Sequence, residues 1–269
     1  HSLLMIVGPV AGAVAYSSLG MKAVIVLNGA SFILGGVAMV CLKFKPMKER
    51  PSKPSAYWSE LRESFTYLKT QPVLKFLLWM LVSINFLFVP MMVLVIPYIN
   101  YQVLEVSGFQ LAIIEGSFGL GAMLGGIYIS VRKDSQKFIR KAFLLLGLQC
   151  LILILLLFPI AIPQADKAGI TLGFSLLLVL LGAINMVQNI PLFTYFQLRI
   201  PEALRGRVLG LINVGILLST PLGLWVYGLL LENFSWYYIT TGSGLIILAI
   251  CLTQRNNIHF QTLIQGLKK

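Results

Sequence analysis

Charged side chains are scarce in this chain, and acidic ones are the scarcest. Only 9 of the 269 residues are Asp or Glu, and 11% of all residues are charged, whereas 58% are hydrophobic. Soluble domains carry about 25% charged residues, and the mean hydropathy here is +0.87. The composition therefore excludes a soluble domain, and the net charge of +12 does not indicate a nucleic-acid partner.

Histidine and cysteine are also rare, which argues against several kinds of chemistry. The two histidines, His1 and His259, lie near the chain ends, so we predict no histidine-based catalytic or metal site in the membrane. No HExxH or GxSxG motif occurs. The three cysteines, Cys41, Cys150 and Cys251, are isolated from one another, which is typical of apolar packing residues rather than zinc ligands or disulfides. We expect no enzyme activity, no bound metal and no cofactor.

Long apolar stretches fill most of the chain. About 20 apolar residues are enough to cross a bilayer as a helix, and eight stretches approach or exceed that length. They predict an all-α polytopic membrane protein with eight transmembrane helices. We place the spans near residues 2–17, 23–42, 73–98, 109–131, 142–162, 170–196, 207–231 and 237–254.

The basic residues are placed unevenly between these spans. All of the 21 Lys and Arg residues except Lys22 and Lys167 fall in alternate gaps, at the span ends that border these gaps, or in the C-terminal tail. Because cytoplasmic loops of membrane proteins collect Lys and Arg, we expect both termini of this chain in the cytoplasm. The protein is expected in the plasma (cell inner) membrane, in contact with its lipids.

One long loop, residues 43–72, divides the chain. Its first part is basic and rich in proline, which is typical of an extended linker. From residue 57 to 70, Trp58, Leu61, Phe65 and Leu68 recur at helical spacing between charged residues, which predicts an amphipathic helix on the cytoplasmic leaflet. A regulatory or partner-binding role for the loop is the alternative. We therefore divide the chain into 1–42, 43–72, a six-helix bundle at 73–254, and a cytoplasmic tail at 255–269.

The two ends of the chain show a faint internal repeat. A proline flanked by glycines lies within a span in each case, and Pro9 precedes Lys43 by as many residues as Pro221 precedes Arg255. Many transporters consist of two six-helix halves related by such repeats. On that pattern, residues 1–42 are the last two helices of an N-terminal half, and we expect four earlier helices to lie outside this sequence.

Several motifs resemble one family of transporters. Gly8-Pro9-Val-Ala-Gly12 resembles the glycine-proline motif of major facilitator superfamily antiporters. The stretches 114–126, 200–210 and 219–223 are similar to the macrolide-efflux and enterobactin-exporter branch. The resemblance implies twelve helices in two halves, alternating access, proton-coupled export of a small-molecule substrate, and a monomer when full length. A facilitator or uptake carrier of the same fold, and a non-transporting membrane scaffold or enzyme, stay open as alternatives.

Glu115 is the only ionisable residue well inside a span. Gly119, Ala122 and Gly126 follow it at helical spacing, so the carboxyl shares a face with small residues that let helices approach closely. It lies about 9 Å below the outer boundary, at 1.5 Å per residue. We regard Glu115 as a candidate proton-coupling site, and a buried carboxyl hydrogen-bonded by a neighbouring helix is an equally good interpretation.

Polar residues inside the remaining spans predict where a substrate binds. Because polar groups avoid lipid, we expect the spans at 73–98, 109–131, 170–196 and 207–231 to line a pathway, and the aliphatic spans at 142–162 and 237–254 to face lipid. Hydrogen bonding between helices is the alternative role for these side chains. The candidate substrate-cavity residues are Asn85, Phe86, Phe88, Met92, Asn185, Gln188, Asn189 and Asn213. The candidate packing or gating residues are Gly8, Pro9, Gly12, Gly119, Gly121, Gly125, Pro221 and Gly223.

Overall fold

The computed structural model describes residues 2–41, 54–132, 137–162 and 166–266, and these residues are almost entirely helical, with no strand among them. Two short helical turns, Lys137–Arg140 and Phe158–Ala161, flank the helix Ala142–Leu155. The helices are α1 Ser2–Cys41, α2 Pro54–Thr70, α3 Pro72–Val103, α4 Gly108–Ser130, α5 Ala142–Leu155, α6 Lys167–Arg199, α7 Glu202–Asn233, α8 Trp236–Gln254 and α9 Ile258–Gly266.

Six helical segments in the described residues are long and apolar enough to cross a membrane. They are Ser18–Cys41 within α1, α3, α4, α6, Leu204–Asn233 within α7, and α8. The all-α membrane fold is therefore confirmed, whereas the count of eight helices stays a prediction. The predicted spans at 2–17 and 23–42 form one helical segment that is interrupted at Gly20, whose φ of 76° and ψ of 168° are not helical.

The predicted span at 142–162 is not one continuous helix. α5 ends at Leu155, and the chain turns at residues 156–157 before the short helix Phe158–Ala161. Pro159 explains the break, because proline has no N–H to donate and restricts the residue before it. The local carbonyl groups accept hydrogen bonds from residues three positions later instead of four. For example, the N–H of Leu157 donates to the carbonyl oxygen of Ile154 over 3.0 Å.

The closest helix pair is α4 and α6, where small residues face one another. A Cβ atom on Gly121 would overlap the carbonyl oxygen of Val179, and one on Gly125 would overlap that of Ala183. Gly182 of α6 lies equally close to the backbone of Phe118 in α4. The two backbones are in direct contact, which is the arrangement that small residues permit in membranes.

α3 is irregular in its second half and packs closely on α7. Two stretches of α3, Met91–Val95 and Ile99–Val103, have π-helical hydrogen bonding. Pro90 cannot donate to the carbonyl of Phe86, and that carbonyl oxygen would lie 2.6 Å from a Cβ atom on Gly223 of α7. The proline thus frees a stretch of backbone that α7 approaches closely.

The short helices α2 and α9 pack at one end of the bundle. Glu63 of α2 forms an ion pair with Arg207 of α7 over 3.7 Å, and the ring of Phe260 in α9 packs edge-on against Phe143, with centroids 4.5 Å apart. This end carries the basic gaps, and we call it the inner end. At the opposite, outer end, the Lys167 ammonium donates to the carbonyl of Glu105 over 2.6 Å.

The helix α2 lies where the sequence predicts an amphipathic helix, and its faces differ in burial. Leu68 is buried against the bundle, whereas Trp58, Leu61 and Phe65 are exposed, Trp58 by 78%. Ser64 is also fully buried. The helix therefore docks on the bundle through its C-terminal half and leaves Trp58 and Phe65 free of protein contacts that would bury them.

Candidate functional site

A cavity of about 320 Å³ lies inside the bundle between α3, α5 and α6. Phe118 of α4 and Phe260 of α9 close two of its sides. Most of the lining is apolar, and no described side chain that lines it is ionisable. The polar side chains in the lining are the five carboxamides Asn85, Gln149, Asn185, Gln188 and Asn189.

The cavity extends from the inner end of the bundle towards its middle. Ile139, before α5, and Phe260 line it at the inner end. Asn85 lies about 20 Å along α3 from Pro72, at 1.5 Å per residue. Transport proteins bind their substrates near this depth, between helices.

Three of the five carboxamides have hydrogen-bond partners. The amide nitrogen of Asn189 donates to the amide oxygen of Asn185, 2.8 Å away and one turn earlier on α6. The amide nitrogen of Asn85 donates to the carbonyl oxygen of Leu81 over 2.9 Å. These bonds lie within single helices, so they orient the side chains without joining the helices to one another.

Each of the other two carboxamides, Gln149 and Gln188, has one buried polar atom without a hydrogen-bond partner in the described part of the chain. These atoms are Nε2 of Gln149, a donor, and Oε1 of Gln188, an acceptor, and neither meets a hydrogen-bonding group in the described residues. Gln149 is only 2% exposed. Because nearly all buried polar atoms in proteins are paired, each exception calls for an explanation.

Gln149 is not among the cavity residues predicted from the sequence, because α5 reads as a helix that faces lipid. That expectation is wrong for one side of the helix, since Ala142, Phe143, Leu146 and Gln149 all line the cavity. Gln149 is the only carboxamide between residues 142 and 162. Since polar groups avoid lipid, a single glutamine in an aliphatic helix was the available signal for its inward-facing side.

The structure brings together most of the predicted cavity residues and separates two of them. Asn85, Phe88, Met92, Asn185, Gln188 and Asn189 all line the cavity. Phe86 points away from it and lines a different groove, between α3, α7 and α8. Asn213 is exposed on α7, because the neighbouring Ile212 is the residue that is buried against the bundle.

Glu115 does not line the cavity, although Phe118, one turn further along α4, does. Its side chain is half-buried. The exposed stripe of α4 lies on the opposite side of the helix, since each residue turns it by roughly 100°. That stripe consists of Ile113, Leu120, Leu124 and Ile127. Glu115 therefore lies on the protein-facing side of a helix that packs against both α6 and α1.

The predicted packing residues fall into four groups. Gly121, Gly125 and Gly223 meet a neighbouring backbone, and Gly119 is buried. Around Gly12, nothing in the described part of the chain comes within 4 Å of the place that a Cβ atom would occupy, so close packing at Gly12 stays a prediction. Pro221 lies inside α7 and is exposed. Gly8 and Pro9 lie within helix α1, and their surroundings fall outside what the structure describes.

A comparison with protein families decides the wider assignment. The family model described as Major Facilitator Superfamily matches residues 1–223, from α1 into α7. The chain belongs to the major facilitator superfamily. No curated protein and no solved structure matches it in the corresponding comparisons.

Membership in the major facilitator superfamily identifies the chain as a multi-pass membrane transporter of that superfamily. Members of this superfamily are transporters rather than enzymes. The arrangement of the cavity agrees with such a task, because apolar walls with a few polar groups are what small-molecule sites in proteins share. A site of this kind can bind and orient a small-molecule ligand.

Proposed function

We propose that this major facilitator protein exports amphipathic small molecules by alternating access, driven by proton entry, as in the macrolide-efflux and enterobactin-exporter branch that its motifs resemble. The observation that carries the proposal is the membrane-embedded cavity with its apolar walls and carboxamides. Phe and Met side chains such as Phe88 and Met92 adapt to ligands of different shape. The substrate is a drug, a macrolide or a siderophore-type molecule, at least part of which enters the cavity.

Glu115 is the proposed proton site. Its half-buried carboxyl lies on α4, which packs against α1 on one side and α6 on another. When helices separate around such a carboxyl, water reaches it and favours the charged form, and when they close again, burial favours the protonated form. An alternating movement of α1 against α4 would therefore exchange protons with the two sides of the membrane in turn.

Transport by reconstituted protein tests this proposal. Liposomes containing the full-length protein are equilibrated with a radiolabelled macrolide or a neutral fluorescent dye at equal concentrations inside and outside, and a proton gradient of either direction is imposed. We expect export against a concentration gradient only when protons move in the opposite direction. We expect Glu115→Gln to lose that uphill movement while it retains downhill exchange, because the amide cannot titrate.

A matched control is Glu105→Gln, since Glu105 is an exposed acid in the loop after α3. This substitution should leave gradient-driven export unchanged. If Glu115→Gln exports at the wild-type rate with the same pH dependence, Glu115 is structural and proton coupling through it is refuted.

A facilitator or uptake carrier is the second candidate, and one observation favours it. No ionisable side chain of the described residues lines the cavity, and a carrier without coupling needs none there. Such a protein would equilibrate the dye across the liposome membrane at a rate that does not depend on the proton gradient. The same liposome assay therefore separates the two candidates.

The proposal also covers the orientation of the protein in the membrane, its contact with lipids and its oligomeric state. The concentration of Lys and Arg at one end of the bundle supports an orientation with that end, and both termini of this chain, in the cytoplasm of a cell bounded by its plasma membrane. The exposed aromatic face of α2, with Trp58, suits the headgroup region of the inner leaflet. We propose that the protein works as a monomer among membrane lipids.

A further inference from the structure

We propose that the cavity between α3, α5 and α6 selects an uncharged amphipathic molecule, whose single hydrogen-bonding group is met by Gln149 and Gln188. The proposal names the substrate class of the exporter, and it rests on the proposed function only in calling the ligand a transported substrate. Binding itself is independent of transport.

Gln149 and Gln188 each have one buried polar atom without a hydrogen-bond partner in the part of the chain that the structure describes. Within the cavity lining, Nε2 of Gln149 and Oε1 of Gln188 are the buried polar atoms without a partner in the described residues. Leaving such a group unpaired costs more than an ordinary hydrogen bond contributes. One of the two atoms donates and the other accepts, so a hydroxyl or an amide, which can do both, is the ligand chemistry that can pair with either atom.

The described lining of the cavity is uncharged. The walls contain apolar side chains and carboxamides, and no described side chain in the lining carries a charge. A charged ligand group would lose its hydration in this cavity without meeting an opposite charge, which is strongly unfavourable. A neutral group loses less hydration free energy on entering the cavity, and hydrogen bonds to the two glutamines replace part of that loss.

The size of the cavity and the shape of its walls limit what can bind in it. The volume of about 320 Å³ lies at the low end of the range for sites of drug-sized ligands, about 300 to 1,000 Å³. The walls of the same cavity include Leu146 and Phe143 of α5 and Phe118 of α4. An aliphatic or aromatic body with one polar group therefore fits, and a larger substrate would place only such a portion of itself here.

Photolabelling with matched probes tests the proposal. The probe is octanol that carries a diazirine, and three analogues have the same body with an amine, a carboxylate or no polar group. The purified protein is irradiated with each probe, and labelled residues are mapped by peptide mass spectrometry. We expect the alcohol to label residues of the cavity lining, with competition by unlabelled octanol, and the two charged analogues to label them at least tenfold less.

Variants of the glutamines give the second arm. Gln149→Leu and Gln188→Leu keep similar volumes and remove one polar group each, and each should raise the octanol concentration needed for competition by about tenfold, or about 1.4 kcal/mol. The control is Gln197→Leu, since Gln197 lies on the same helix as Gln188 but is exposed, and its competition curve should not change.

Each result bears on the proposal. The proposal is overturned if the analogue without a polar group labels the cavity as strongly as the alcohol does, or if the carboxylate labels it. Unchanged competition in both glutamine variants would also overturn it. Selective labelling by the alcohol in a protein that shows no gradient-driven export would support the site and refute the export function. The two proposals can thus fail separately.

Discussion

The phenolic hydroxyl of Tyr227 in α7 donates a hydrogen bond to the carbonyl oxygen of Leu87 in α3, 3.1 Å away. That carbonyl is available because the N–H of Met91, four residues further along α3, donates to Phe88 instead. The same hydroxyl lies 2.6 Å from the hydroxyl oxygen of Ser243 in α8. A single tyrosine thus joins three helices at the place where Pro90 makes α3 irregular.

We predict that Tyr227→Phe lowers the stability of the bundle by about 1–3 kcal/mol, because it leaves the buried carbonyl of Leu87 without its partner. The measurement is the thermal unfolding midpoint of the purified protein in detergent. Tyr101→Phe is the control, since Tyr101 is exposed on the same irregular helix α3. Equal midpoints for Tyr227→Phe and wild type would mean that the hydrogen bond contributes nothing to stability.

The small-residue contacts give a prediction that separates two similar glycines. Gly121→Leu forces a side chain into the backbone of Val179, and overpacking of this kind costs about 1–3 kcal/mol or more. We expect it to lower the yield of folded protein and to abolish transport. Gly12→Leu meets nothing within 4 Å in the described part of the chain, so its folded yield should stay close to wild type.

Yield can be followed by fluorescence size-exclusion chromatography of tagged variants. The interpretation of the α4–α6 contact would be contradicted by a normal elution profile of Gly121→Leu. A loss of folded protein in Gly12→Leu would show that this glycine also lies in a close contact.

Hydropathy predicts the membrane spans of this protein because crossing lipid requires a long apolar helix. It does not predict which side of each helix faces the protein. Lipid-facing and protein-facing residues are both apolar in a membrane, so α4 and α7 show almost no hydrophobic periodicity for an argument to use. Glycine spacing was the better guide, and it located the contact of Gly121 and Gly125 with α6.

The differences between the predicted and the observed cavity lining have the same origin. Asn213 and Phe86 are in the right helices, but their direction depends on how α7 packs against α3, which the sequence of either helix does not reveal. Gln149 was overlooked because its helix is uniformly aliphatic around it. The carboxamides of α6 were located because Asn185, Gln188 and Asn189 recur at helical spacing and so share one face.

Orientation in the membrane gives a third prediction, based on the two ends of α4. Cysteine at Ser130, at the inner end, should react with an impermeant thiol reagent only from the cytoplasmic side, and cysteine at Glu105, in the outer loop, only from outside. Both positions are exposed. The background is Cys41→Ser, because Cys41 is the exposed native thiol, whereas Cys150 and Cys251 are buried.

Labelling is read from intact cells and from inverted membrane vesicles. Reaction of both cysteines from the same side would contradict the crossing of the membrane by α4. Reaction of each from the side opposite to that expected would reverse the orientation and place the basic end outside.

The last prediction concerns the stability cost of a binding site. If Gln149 keeps its amide nitrogen unpaired until a ligand enters, the ligand-free protein carries a buried polar group that is not satisfied. Leucine has a similar volume and no polar atom, so Gln149→Leu should stabilise the ligand-free protein, by about 1 kcal/mol. Substitutions at sites built for function commonly raise stability in this way.

The measurement is the unfolding midpoint with and without octanol, because a ligand that binds only the folded state raises the midpoint. Octanol should raise the midpoint of the wild type relative to octane at the same concentration, and this difference should shrink in Gln149→Leu. Ser243→Ala is the comparison, since the single proton of the Ser243 hydroxyl already has an acceptor, either the Tyr227 hydroxyl 2.6 Å away or the carbonyl oxygen of Ile239 2.7 Å away. Its loss should destabilise the protein with or without octanol. A lower midpoint for Gln149→Leu than for wild type, without ligand, would show that Gln149 is satisfied in the resting protein by water or another group, and that its role is structural.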